Sequence, residues 1–143
     1  MTKQPDRIGF YAIARVSDWA RELHPVVAVA VVLALALAAR AAWSISHPAE
    51  PLWGDSEFYD RAAWGIATGT WWPDSHPIGY PLFLAAIYAV TGHSVGAVIA
   101  IQCVIGAASC VLIALVTEDI FDSRLIGLLS GLATALWLPW IRY

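Results

Sequence analysis

The sequence predicts an all-α integral membrane protein with about four transmembrane helices and a helical loop against the periplasmic or extracellular surface after the first. Three observations predict it. Apolar residues make up 59% of the chain and charged ones 13%, with a mean hydropathy of +0.65, outside the balance of a soluble globular domain. Apolar stretches recur along the chain between polar turns. Acids and tryptophans crowd into one loop between the first two of those stretches. Lipid is therefore the main solvent, and 143 residues suffice for a small helical bundle. The net charge of −3 comes without a Lys/Arg cluster, which argues against nucleic acid as a partner. Cys103 and Cys110 lie about 10.5 Å apart along a helix, too far to pair with each other, and read as packing residues.

Residues 1–24 form a cytoplasmic amphipathic segment: Ile8, Tyr11, Ala12, Val16, Trp19, Ala20 and Leu23 fall at helical spacing opposite Asp18, Arg21 and Glu22. Pro25 suits a helix start, and the first span runs over about 25–45. Arg40 near its end reads as a side chain snorkelling to the headgroups, with Trp43 in an aromatic belt. His47 and Ala49 stand where a signal peptidase needs small residues, so an uncleaved anchor is expected. The second span covers 77–91 and stops at Gly92, but is short, at roughly 22 Å against a hydrocarbon core of roughly 30 Å. The third covers 95–117 and the fourth 125–140, where Gly127 and Gly131 form a GxxxG pair.

Orientation follows from the basic residues. Lys3, Arg7, Arg15 and Arg21 precede the first span, whereas the loop at 46–76 carries only Arg61. The positive-inside rule then puts the N-terminus in the cytoplasm, and four spans turn the loop and the Glu118 to Arg124 turn outward.

The loop interleaves Trp53, Trp64, Trp71 and Trp72 with Glu50, Asp55, Glu57, Asp60 and Asp74, a mixture suited to the lipid boundary. Within it, Asp55 to Thr68 has helix-forming character with Gly69 as a stop, and a helix lying flat on the outer surface is expected. Asp55 has two readings: an N-cap of that helix, or a general base in group transfer. Glu57 and Asp60 read as solvated carboxylates. His76 before Pro77 reads as a loop histidine or as a phosphate or metal partner. A helix starting at Pro77 or Pro81 points free N–H groups at the loop, which suits a lipid phosphate, and Tyr80 adds a hydroxyl.

Gly54-Asp55-Ser56-Glu57-Phe58-Tyr59 after one span, then Ala62-Ala63, Gly69 and His76-Pro77-Ile78-Gly79-Tyr80-Pro81-Leu82-Phe83-Leu84-Ala85, together resemble the bacterial GT-C glycosyltransferases. The similarity is to the protein mannosyltransferase-like and aminoarabinose transferase-like branch and runs from about Ala34 onward. Ile78 departs from a proline common in the family, while Gly79, Tyr80 and Pro81 keep the turn.

The resemblance implies transfer of a sugar from a polyprenyl-phosphate donor to a lipid, glycan or protein hydroxyl at the outer face of the bacterial inner membrane. Asp55 matches the family's catalytic carboxylate, and Tyr59, His76, Tyr80 and Glu57 match positions around the substrates. Some branches use a divalent metal and others none; Asp55, Glu57 and His76 are the ligands such an ion would draw on. The family has many more spans, so residues 25–143 correspond to the N-terminal part of its transmembrane domain, and the resemblance implies a fragment, a truncated product or one part of a split enzyme that further helices in trans would complete. The alternative is a small noncatalytic membrane subunit binding a polyprenyl lipid or partner helices. A transporter or channel is disfavoured, because apart from Arg40 the spans hold almost no ionisable residue.

Overall fold

A computed structural model describes residues 18–20, 22–47, 54–71 and 77–137. They form helices α1 (Pro25–Ser46), α2 (Asp55–Thr68), α3 (Gly79–Thr91), α4 (Val95–Phe121) and α5 (Arg124–Leu136), and no strand occurs among the described residues. Most of the amphipathic segment lies outside them; of its stripe, Trp19 is exposed, Ala20 is buried and Leu23 packs on the core.

Two helices, α1 and α4, are long and apolar enough to cross a membrane. Their 22 and 27 residues rise about 33 and about 40 Å, more than the roughly 30 Å of hydrocarbon. Only 22% of the most apolar window of each is buried within the protein, unlike a core helix of a soluble domain. The expected second and fourth spans form α3 and α5, each of 13 residues, or about 20 Å. Residues 138–140 of the expected fourth span lie outside the described residues.

The chain divides into two compact units, Met1–Trp43 with Cys103–Tyr143, and Ser44–Gln102. The core of the first unit is built from small residues: Ala28, Val32 and Ala36 on α1, and Ala107, Cys110 and Ala114 on α4. Their spacing of three or four keeps each set on one helix face, and their size lets the backbones approach. The glycine pair of α5 works the same way. A Cβ on Gly127 would lie 2.7 Å from the Ala114 carbonyl oxygen, and one on Gly131 would lie 2.8 Å from Ala114 Cβ and 3.1 Å from Val32. The GxxxG spacing thus marks a three-helix contact.

These contacts fix direction. Arg40, late in α1, meets Gly106 and Cys110, in the middle of α4. At the other end, the Arg124 guanidinium opening α5 donates to the Leu23 carbonyl just before α1, while its Nε bonds Glu118 at 3.0 Å. Helices α1 and α4 are therefore antiparallel, and the α4–α5 turn shares an end with the start of α1. This differs from the expected outward turn, which places residues 118–124 opposite Leu23.

Arg40 also departs from expectation. It does not snorkel: it is 2% exposed, donates to the Ala36 carbonyl at 3.0 Å and lies 3.5 Å from Cys110 Sγ. Gly106 makes the room, since a Cβ there would fall 2.7 Å from Arg40 Nε.

In the second unit α2 packs on α3 through Ala63 against Leu84, Ala85, Ile87 and Tyr88, with Val98 of α4 joining the cluster. Both helices end at glycines with positive φ, Gly69 at 69° and Gly92 at 72°, a conformation other residues adopt at a cost.

Gly131→Val is expected to lower the thermal stability of the detergent-solubilised protein by the equivalent of about 1–3 kcal/mol, through overpacking against Ala114 and Val32. Gly96→Ala, whose Cβ meets nothing closer than 4.0 Å, is expected to be neutral or stabilising by up to about 1 kcal/mol. Parallel melting curves check both.

Candidate functional site

Helix α2 sorts its polar residues by face. Residues four apart share a face, which groups Asp55 with Tyr59, Glu57 with Arg61, and Asp60 with Trp64. Each pair meets a different environment.

Gly54, with φ of 60°, holds the N-cap position of α2, and Asp55 is the first helical residue. The capping reading of Asp55 is thereby corrected: its exposed carboxylate sits in the first turn, at the positive end of the helix dipole. One turn on, the Tyr59 ring packs edge-on against Tyr80, with centroids 5.3 Å apart. The Tyr80 hydroxyl accepts a hydrogen bond of 2.7 Å from Gln102 Nε2. Helices α2, α3 and α4 thus converge on two of the residues singled out from sequence.

Glu57 is taken up by Arg61, at 2.5 Å, in an exposed pair one turn apart, an interaction worth about 0.3–0.5 kcal/mol. Both line an open groove of about 630 Å³ with Gly54, Phe58 and Trp71. Its aromatic wall forms because the chain after α2 folds back: the Trp71 N–H donates to the Gly65 carbonyl at 3.3 Å, and its ring meets Phe58 edge-on at 5.9 Å. Gly65 allows this, since a Cβ there would lie 2.9 Å from Trp71 Cβ.

His76, Trp53, Trp72, Glu50 and Asp74 lie outside the described residues. Among those described, no three His, Cys, Asp or Glu side chains converge as metal ligands do. Asp55 and Glu57, two residues apart, point about 200° apart around the helix, and Glu57 is committed to Arg61. The pair does not fit a shared ion.

The third face carries what sequence reasoning missed. Asp60 is not solvated: its side chain is 15% exposed. It accepts a 2.5 Å bond from the Tyr88 hydroxyl, and His93 Nε2 lies 2.9 and 3.0 Å from its two oxygens. Because the carboxylate can only accept, Nε2 carries a proton. Trp64 stacks on the His93 ring at 5.0 Å and Tyr88 meets it edge-on at the same distance. The signal was available: Asp60 stands three and seven residues before Ala63 and Ala67, on the stripe that packs against α3.

Comparison of the chain with protein-family models, curated proteins and solved structures finds no match.

Asp60→Ala removes the acceptor of both Tyr88 and His93. It is expected to cost about 1–3 kcal/mol, whereas Tyr88→Phe, which leaves a carboxylate still bonded to His93, is expected to cost about 0.5–1.5 kcal/mol. A double-mutant cycle in detergent checks this, with coupling between the two substitutions as the expected result.

Proposed function

We propose that this chain works as part of a GT-C-like glycosyltransferase of the bacterial cell membrane, moving a sugar from a polyprenyl-phosphate donor to a lipid, glycan or protein hydroxyl at the outer face. The observation that carries the reading is the meeting of Tyr59 with Tyr80, 5.3 Å between ring centroids, with Asp55 one turn from Tyr59 on the same face of α2. The contact joins two motif segments whose tyrosines are 21 residues apart, which supports reading them as one pocket.

The chemistry needs little else from these residues. As the acceptor oxygen bonds to the anomeric carbon, its proton passes to the Asp55 carboxylate. The bond from that carbon to the phosphate oxygen breaks, and the polyprenyl phosphate leaves with the electron pair. An exposed carboxylate is a suitable proton acceptor only if the acceptor is positioned against it. The departing phosphate fits the N-terminus of α3, whose cap residue Ile78 supplies no side-chain hydrogen bond, leaving first-turn N–H groups and the positive dipole end to an anion. Tyr80 in that turn adds a hydroxyl already oriented by Gln102. The open groove beside Phe58 and Trp71 offers aromatic faces of the kind on which sugar rings lie. The N-terminus is placed in the cytoplasm, on the side favoured by Lys3, Arg7, Arg15 and Arg21.

The test is sugar transfer from a radiolabelled polyprenyl-phosphate donor by native membranes containing the tagged chain, so that any helices supplied in trans are present. Asp55→Asn is expected to lower turnover about 10²–10⁴-fold. Asp119→Asn, at an exposed carboxylate of α4 away from these motifs, is expected to change it about twofold or less. Transfer at the wild-type rate with Asp55→Asn removes the catalytic reading and leaves a noncatalytic lipid-binding subunit.

A further inference from the structure

We propose that the α2–α3 hairpin is an interfacial element. It lies on the headgroup boundary of the leaflet where α1 ends and α4 begins, and α3 does not carry the chain across. The inference does not depend on sugar transfer.

The first step is parity. Helices α1 and α4 are antiparallel, held by Arg40 over Gly106 at the middle of α4 and by Arg124 on the Leu23 carbonyl beside the end of α4. If both cross a bilayer, the end of α1 and the start of α4 emerge on the same side. The chain between them, which holds α2 and α3, then crosses an even number of times.

Two crossings are excluded by composition and length. Helix α2 carries Asp55, Glu57, Asp60 and Arg61 within 14 residues, and acidic and basic side chains near a bilayer centre cost about 2.5–3.5 kcal/mol each. Helix α3, with 13 residues, rises about 20 Å. Zero crossings remain.

Contacts within the hairpin agree. Helix α2 touches α3 at both of its ends: Tyr59 meets Tyr80 in the first turn, and Asp60 holds His93 just beyond the last. An α2 lying in one interface while α3 crossed to the other would separate Asp60 from His93, which are 2.9 Å apart.

The surface suits the lipid boundary. Trp64, Trp71 and Tyr80 are 39–43% exposed, and Leu82 and Val90 are exposed beside them, the mixture of amphipathic rings and aliphatic groups that settles at headgroup level. The occupant is the lipid interface rather than a protein partner, because the hairpin is tethered at both ends to helices long and apolar enough to cross. Charge along the sequence agrees as well: of eight Lys/Arg, Lys3, Arg7, Arg15 and Arg21 precede α1 in the chain and Arg61 alone falls in the hairpin.

The experiment is labelling of single cysteines by a membrane-impermeant maleimide, in right-side-out and inverted vesicles, in a Cys103→Ala background with the buried Cys110 retained. Ser56→Cys, Thr70→Cys, Thr91→Cys and Asp119→Cys all replace exposed residues. Should Thr70→Cys or Thr91→Cys fail to accumulate, its exposed neighbour Thr68→Cys or Val90→Cys replaces it. Expected is labelling of positions 56, 70 and 91 from one side and of 119 from the other. Position 91 labelling from the side opposite 56 shows that α3 crosses and overturns the proposal, as does position 70 labelling from the side opposite both.

Discussion

The close approach of α1, α4 and α5 is the constraint on which the remainder of the structure hangs. It depends on the absence of side chains more than on their presence. Gly131 lets Val32 and Ala114 share one contact, Gly127 seats α5 against the Ala114 carbonyl, and Gly106 opens the space that Arg40 fills. A guanidinium inside an apolar helix pair is costly unless its donors are used, and the Ala36 carbonyl and the Cys110 sulfur take two of them. That fit works in one register and one direction. It fixes α4 antiparallel to α1, and so fixes at which end of the pair the intervening segment is tethered.

Within the intervening segment, helix periodicity separates chemistry from scaffolding. The face of α2 with Asp60 and Trp64 is locked to Tyr88 and His93 by two hydrogen-bonded partners and a ring stack. The faces with Asp55 and Glu57 stay exposed. A rigid element carrying exposed polar groups is what a binding or catalytic surface needs, because groups already held in place lose less freedom when a ligand arrives. Under the proposed function the Asp60 network is positioning, and Asp55, Tyr59 and Tyr80 are the residues assigned to the substrate.

Local signals were legible in the sequence, and long-range ones were not. Gly54-Asp55 and Gly69 bracket α2 as the helix start and stop rules require, and Pro25 opens α1. The number of spans was harder to read. A 13-residue apolar helix such as α3 has the composition of a span and lacks only length, and the flanking prolines blur its boundary. Arg40 was misread because an arginine near the end of an apolar run looks the same whether it reaches headgroups or folds over a glycine 66 positions away. Asp60 was misread because, although its spacing to Ala63 and Ala67 puts it on the face packed against α3, its partners lie 28 and 33 residues on and local sequence does not name them. Tyr59 and Tyr80 were found from motif resemblance, but their contact, and the part played by Gln102, needed the fold.

The direction of α4 against α1 decides the most, and spin-label distances measure it in a bilayer. Labels at exposed Val27 and Ile120 report one end of the pair, and labels at Ala41 and Ile120 report the diagonal, since 27 and 41 are about 21 Å apart along α1. An antiparallel pair gives the shorter distance between 27 and 120 and the longer between 41 and 120. The reverse order would mean that α1 and α4 run parallel, and would contradict both the packing around Arg40 and the single-sided hairpin.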